Sequence, residues 1–130
     1  MTFPADVKYL DRVLEHINGS LEKAGCPMKT QVRIDTAAEE IFVNIAGYAY
    51  GGGQGNVTVD VTAGADGVTI AFIDSGTPYD PLSKPDPDIS LSAAERPIGG
   101  LGIYMAKKLT DELIYEYRDG RNILTMKKFF

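Results

Sequence analysis

The stretch Ala37-Ala38-Glu39-Glu40-Ile41-Phe42-Val43-Asn44-Ile45-Ala46 decides how this chain is read. Helical spacing puts Glu40 and Asn44 about 40° apart on one face, whereas Glu39 points roughly 100° away. The shared face also carries Ala37, Ile41 and Tyr48, so a carboxylate and an amide sit among apolar neighbours. Burying such groups without partners costs a few kcal/mol, and a bound metal with its waters would supply them. An amide oxygen is a hard ligand suited to magnesium, which keeps most of its waters. A carboxylate one turn earlier can take a proton from an attacking hydroxyl or water. Taken alone, the pair also fits an ordinary helix with one exposed edge.

Toward the N-terminus, Val7, Leu10, Leu14, Ile17 and Leu21 recur at helical steps, with Asp11, Arg12, Glu15 and Glu22 elsewhere. That pattern predicts an amphipathic helix over about 5–24. Gly25 is a terminator, and Pro27 suits the first turn of the following helix, which runs to about Tyr50. The run Gly51-Gly52-Gly53-Gln54-Gly55 stops it and provides slack before a strand. There the period changes to two: Val57, Val59 and Val61 alternate with Thr58, Asp60 and Thr62. Gly64-Ala65-Asp66-Gly67 reads as a turn and Val68–Asp74 as the returning strand of a hairpin. Residues 75–98 contain Pro78, Pro81, Pro85, Pro87 and Pro97, and read as a lid or a disordered connection. A short helix over about 100–109 follows. Leu113–Arg118 and Ile123–Phe129, joined by Asp119-Gly120-Arg121-Asn122, then read as a closing hairpin. Helices gathered before and between antiparallel hairpins indicate an α+β fold, a two-layer sandwich in a single domain over residues 1–130.

Two more segments carry chemistry. In Asp74-Ser75-Gly76-Thr77-Pro78, Asp74 ends an apolar strand and Gly76 lets backbone approach a flat ligand. A carboxylate there can accept the exocyclic amine of adenine, although Asp, Gly and Pro are also ordinary turn residues. In Gly99-Gly100-Leu101-Gly102-Ile103-Tyr104, glycines run straight into a helix, turning free N–H groups and the positive dipole end toward an anion. The segment is neither a P-loop nor a dinucleotide fingerprint. Just before it, Arg96 is placed to reach a terminal phosphate or a partner's acidic surface. His16 is the sole histidine and falls among exposed helix positions, so no Ser-His-Asp or Cys-His system is available.

Composition sets outer bounds. Among 130 residues, 44% are hydrophobic, enough for one core. With 13 basic and 18 acidic residues the net charge is −5, which argues against nonspecific nucleic-acid binding. A single cysteine, Cys26, excludes an internal disulfide and any multi-cysteine metal site. No apolar run approaches the roughly 20 residues of a membrane span. Met1–Asp6 lacks a signal-peptide pattern, so the expectation is a cytoplasmic protein.

Together, the ordered segments resemble the GHKL-type (Bergerat-fold) ATPases and, within them, the anti-sigma-factor serine kinases. Glu40-x-x-x-Asn44 resembles the family's N-box, Asp74-x-Gly76-x-Pro78-Tyr79-Asp80-Pro81 its first glycine box, and Gly99-Gly100-Leu101-Gly102 its second. Thr125, in the last strand, falls where the family has a threonine beside the adenine-binding aspartate. The resemblance implies a mixed, mostly antiparallel sheet covered on one face by helices. It implies ATP and Mg2+ as cofactors, with Asn44 on the magnesium and Glu40 as general base. Asp74 and Gly76 would then form the adenine pocket, and Arg96, Gly99, Gly100, Leu101 and Gly102 would lie at the phosphates. It further implies a homodimer that binds a sigma factor and phosphorylates a serine of a small anti-anti-sigma (STAS) protein. A nucleotide-gated binding module without useful turnover is the alternative. The chain departs from many relatives in carrying Tyr48-Ala49-Tyr50 where they have His-Ala-Tyr, and in an N-terminus short enough to abbreviate a first strand.

Overall fold

A computed structural model describes residues 1–83 and 101–130, with Leu101 described by its backbone. The elements are β1 (Thr2–Pro4), α1 (Leu10–Lys23), α2 (Met28–Tyr48), β2 (Asn56–Ala63), β3 (Gly67–Asp74), α3 (Leu101–Leu109), β4 (Glu112–Arg118) and β5 (Arg121–Phe129). The strands form one five-stranded sheet in the order β1-β2-β3-β5-β4. Every described pairing is antiparallel, so the expected mixture of strand directions is absent from these residues.

Alternation along the strands turns one sheet face toward the helices. Val57 and Val59 of β2, Ile70 and Phe72 of β3, and Leu124 and Met126 of β5 are buried there. Against them pack Val13, Ile17 and Leu21 of α1 and Ile34, Ala37, Ala38, Ile41, Phe42 and Ile45 of α2. Each fully buried aliphatic or aromatic side chain contributes about 1.5–3 kcal/mol relative to exposure, so this interlayer core dominates the fold's stability. Ile103 and Ala106 are the buried positions of α3.

The first helix is shorter than its periodicity predicts. Val7–Tyr9 form a 3-10 turn, with the Asp6 carboxylate accepting from the Lys8 N–H at 3.0 Å, and α1 proper starts at Leu10. Val7 is therefore exposed, and the buried stripe is Val13, Ile17 and Leu21. Pro27 is the N-cap of α2, one residue ahead of the expected first turn. An N-terminal strand is present as β1, which places Phe3 in the core against His16. His16 is half-buried, not exposed, and its Nε2 bonds the Val59 carbonyl at 3.1 Å, tying α1 to the sheet. The closing hairpin turns on two residues, Asp119 (φ 55°) and Gly120 (φ 76°). Positive φ at both centres is the geometry that matches strand twist, so Arg118 pairs with Arg121 and β5 begins two residues earlier than expected. No described helix is long and apolar enough to cross a membrane.

Candidate functional site

The end of β3 and the end of α2 meet at one corner of the sandwich. Asp74, the last residue of β3, is 6% exposed and faces the helix layer. Its Oδ1 accepts from the Gly76 N–H at 2.9 Å, closing a tight turn. The next N–H, of Thr77, donates to the Ala49 carbonyl at 2.8 Å, just beyond α2. A Cβ on Gly76 would collide with that same carbonyl. The glycine is therefore required for approach to the protein's own helix end.

Opposite Asp74 in the register lies Asn122 of β5, 7% exposed. Its Nδ2 donates to Asp74 Oδ1 at 2.9 Å and to the Thr77 carbonyl at 3.1 Å. Its Oδ1 accepts from the Tyr79 N–H at 3.2 Å and from the Tyr115 hydroxyl. One buried amide thus holds the turn after β3 to both strands of the closing hairpin. The Asp80 carboxylate accepts from the Leu82 N–H at 2.8 Å, and its carbonyl from Ser83 Oγ at 2.8 Å. Bonds to Ala49, Tyr50 and Asn122 tie residues 75–79 to the helix end and to β5, and those within 80–83 close a local turn. The rest of the expected lid, 84–98, lies outside the described residues. Burial holds the Tyr115 hydroxyl above its ordinary pKa, with the Asp80 and Asp74 carboxylates and Tyr117 adding and the Tyr79 backbone bond opposing. It remains a donor to Asn122 across the neutral range.

Glu40 and Asn44 occupy the margin of α2 between its buried stripe and solvent, both half-buried, while Glu39 is exposed. Tyr48, expected to share their apolar surroundings, is 60% exposed. Neither Glu40 nor Asn44 bonds another described residue through its side chain. Gly102, in the first turn of α3, lies directly over the Glu40 carboxylate, and a Cβ there would strike Glu40 Oε2. The fold therefore brings Glu40 to the N-terminal end of α3, and Asn44 one turn nearer the corner where Asp74 and Gly76 sit. Arg96, Gly99 and Gly100 lie outside the described residues, and of Leu101 only the backbone position at the start of α3 is given. Among the described residues no group of three or more His, Cys, Asp or Glu could cage a metal. One amide oxygen beside a half-exposed margin suits a magnesium that keeps its waters and arrives with phosphates.

Thr125 is not beside Asp74. It pairs with Ala71 and Ile114, and the alternation of β5 turns it with Ile123 and Lys127 onto the face away from the helices. The residue that does face Asp74 from the last strand is Asn122. It escapes a sequence reading because Asn after Asp-Gly looks like turn. The available signal was the alternation Asn122, Leu124, Met126, a polar residue in phase with two buried apolar ones. Tyr50 also belongs to the corner: its hydroxyl donates to the Asn56 carbonyl and accepts from the Ser75 N–H at 3.0 Å, with its ring packed on Gly55. A concavity of about 400 Å³, lined by Tyr50, Asn56, Thr58, Ile73, Asp74, Ser75 and Arg121, opens beside this corner. It does not include Glu40 or Asn44.

Comparison with known proteins agrees with this geometry. Residues 3–128 match the model of the histidine kinase-like ATPase domain. The serine-protein kinase RsbW of Listeria monocytogenes serovar 1/2a is 24% identical over 132 aligned positions, covering 98% of this chain and 84% of that protein. The proteins of the same name from L. monocytogenes serotype 4a and L. innocua serovar 6a are 23% identical over the same shares. With a five-stranded sheet backed by helices, an Asp-x-Gly turn at the end of its central strand and a Glu-x-x-x-Asn helix beside it, the chain belongs to the histidine kinase-like ATPase domain family.

Proposed function

We propose that this protein is an ATP-dependent serine kinase acting in the cytoplasm. In this reading it binds a sigma factor as a homodimer and phosphorylates a serine of an anti-anti-sigma (STAS) protein. The observation that carries it is Glu40 lying against the first turn of α3, one helical turn from Asn44. The names of the Listeria relatives support the same class of activity.

In this reading Asp74 accepts the exocyclic amine of adenine within the turn closed by Gly76. The glycines before and within α3, with Arg96, contact the phosphates. Asn44 would hold Mg2+ through its amide oxygen, and the bound ion would offset phosphate charge. Glu40 takes the proton of the substrate serine as its Oγ forms a bond to the terminal phosphorus, while the bond to the bridging oxygen breaks and ADP leaves. Phosphoryl transfer demands chiefly positioning and charge neutralisation, so a small site suffices.

Incubation with ATP, Mg2+ and STAS proteins encoded beside the gene should yield phosphoserine. Glu40→Gln should lower the rate by about 10²–10⁴-fold while ATP binding persists. Tight ATP binding with no transfer to any encoded STAS protein would overturn the kinase reading in favour of a nucleotide-gated module.

A further inference from the structure

We propose that Asn122 is the positioning residue that gives the site its preference for a 6-amino purine, a role that rests on the nucleotide reading above. The amide's own partners set its orientation. Asn122 Oδ1 faces two donors, the Tyr79 N–H and the Tyr115 hydroxyl. Its Nδ2 faces only acceptors: Asp74 Oδ1, the Thr77 carbonyl and, at 3.4 Å, the Gly76 carbonyl. Turning the amide over would set donors against donors on one side and oxygens against oxygens on the other. Its orientation is therefore fixed by its surroundings.

A fixed amide in turn constrains Asp74. Both groups meeting Asp74 Oδ1, the Asn122 amide and the Gly76 N–H, are donors, so this oxygen acts only as an acceptor. Two bonds to a single oxygen also hold the carboxylate in one rotation. The second oxygen, Oδ2, is left to meet a ligand as an acceptor. An exocyclic amine at the purine 6-position supplies the donor it needs, whereas a carbonyl there sets oxygen against oxygen. A site built to accept from an N–H rejects the analogue that lacks it, because a buried polar group is left unpaired.

Inosine triphosphate carries a carbonyl where ATP has the amine, which makes it the direct probe. Wild-type protein should bind ATP at least about tenfold more tightly than inosine triphosphate. Asn122→Asp keeps the side chain's shape but replaces the N–H donors with an oxygen, setting two carboxyl groups against each other at Asp74 Oδ1. Repulsion between them turns Asp74 out of its fixed rotation, Oδ2 no longer stands as an acceptor opposite the purine 6-position, and the ATP to inosine triphosphate affinity ratio should fall toward one. Asn122→Thr, whose hydroxyl can still donate to Asp74, should restore most of the ratio. Tyr115→Phe tests the same chain of contacts without touching Asn122 and stays informative if the Asp variant fails to fold. Removing one of the two donors that fix the amide should narrow the ratio by a smaller factor. A preference for ATP in wild type that is unchanged in folded Asn122→Asp or in Tyr115→Phe would overturn the assignment alone. Wild type that binds neither triphosphate would overturn the nucleotide reading and this assignment with it.

Discussion

Gly76 is the residue where packing and function are hardest to separate. A methyl group there meets backbone, the Ala49 carbonyl, and not the yielding end of a side chain. Gly76→Ala must therefore push the turn after β3 away from the end of α2 and lengthen the Thr77 to Ala49 hydrogen bond. Overpacking of this kind costs about 1–3 kcal/mol. Urea unfolding should show a loss of that size, and calorimetry an ATP affinity reduced about tenfold or more, because Asp74 moves with the turn. By contrast, among the described residues a Cβ on Gly102 meets the Glu40 side chain, its carboxylate tip first, so a methyl there displaces a side chain and no described backbone. At this scale the sequence was informative where spacing is local. Glu40 and Asn44 were legible because a helix fixes their angle, and Asp74 because it ends an alternating strand. The partner of Asp74 was not, because cross-strand register depends on where the hairpin turns. A two-residue turn at Asp119-Gly120 rather than a four-residue one makes Asn122 part of the strand. It is the alternation of β5 from there that turns Thr125 to the far face.

Between elements, the packing of α1 on α2 hides a polar defect. Asn18 Oδ1 and Asp35 Oδ1 are both buried and accept no hydrogen bond among the described residues. Burial raises the Asp35 pKa above its ordinary 3.8, with a hydrogen bond from the Asn18 side chain opposing in part. The same carboxylate, second to burial, pushes the nearby Cys26 thiol up. A carboxyl whose folded pKa is raised contributes stability that is fully present below the unfolded value and is lost as pH rises through the folded one. Ionised Asp35 is therefore a cost at neutral pH. Asp35→Asn should stabilise the fold near about pH 7, and so raise the melting temperature, by no more than about 1 kcal/mol of free energy, because solvent screens a partly buried side chain. Thermal scans should show that gain shrinking as pH falls toward 3.8, where the wild-type group is itself protonated. A gain that stayed constant with pH would mean that Asp35 ionisation is not the source of the cost.

For the whole molecule, the two layers are joined over their area by apolar packing, by the His16 to Val59 hydrogen bond, and at one corner by a set of hydrogen bonds. Those bonds run from Thr77 to Ala49, from Tyr50 to Asn56 and Ser75, and from Asn122 to three segments. The layers themselves were legible from the periods of 3.6 and two. The strand order was not, since insertion of β5 between β3 and β4 is a non-local choice with no local signal. Three-residue β1 is likewise too short to show a period. The division between packed area and bonded corner leads to a test. Phe72 lies fully buried in β3, the central strand, two residues before Asp74 and on the same face. Phe72→Ala should cost about 3–5 kcal/mol, a large share of the roughly 5–15 kcal/mol available to a domain. Asp74, however, is held by hydrogen bonds with Gly76 and Asn122 and through the Thr77 to Ala49 bond, none of which involves the Phe72 ring. ATP with Mg2+ at about 100 times its dissociation constant should stabilise either protein by about 2.7 kcal/mol. Unfolding with and without nucleotide should therefore give the same increment for wild type and Phe72→Ala, on baselines several kcal/mol apart. A markedly smaller increment in the variant would show that the corner takes its shape from the core, and that its hydrogen bonds follow packing instead of holding the site independently.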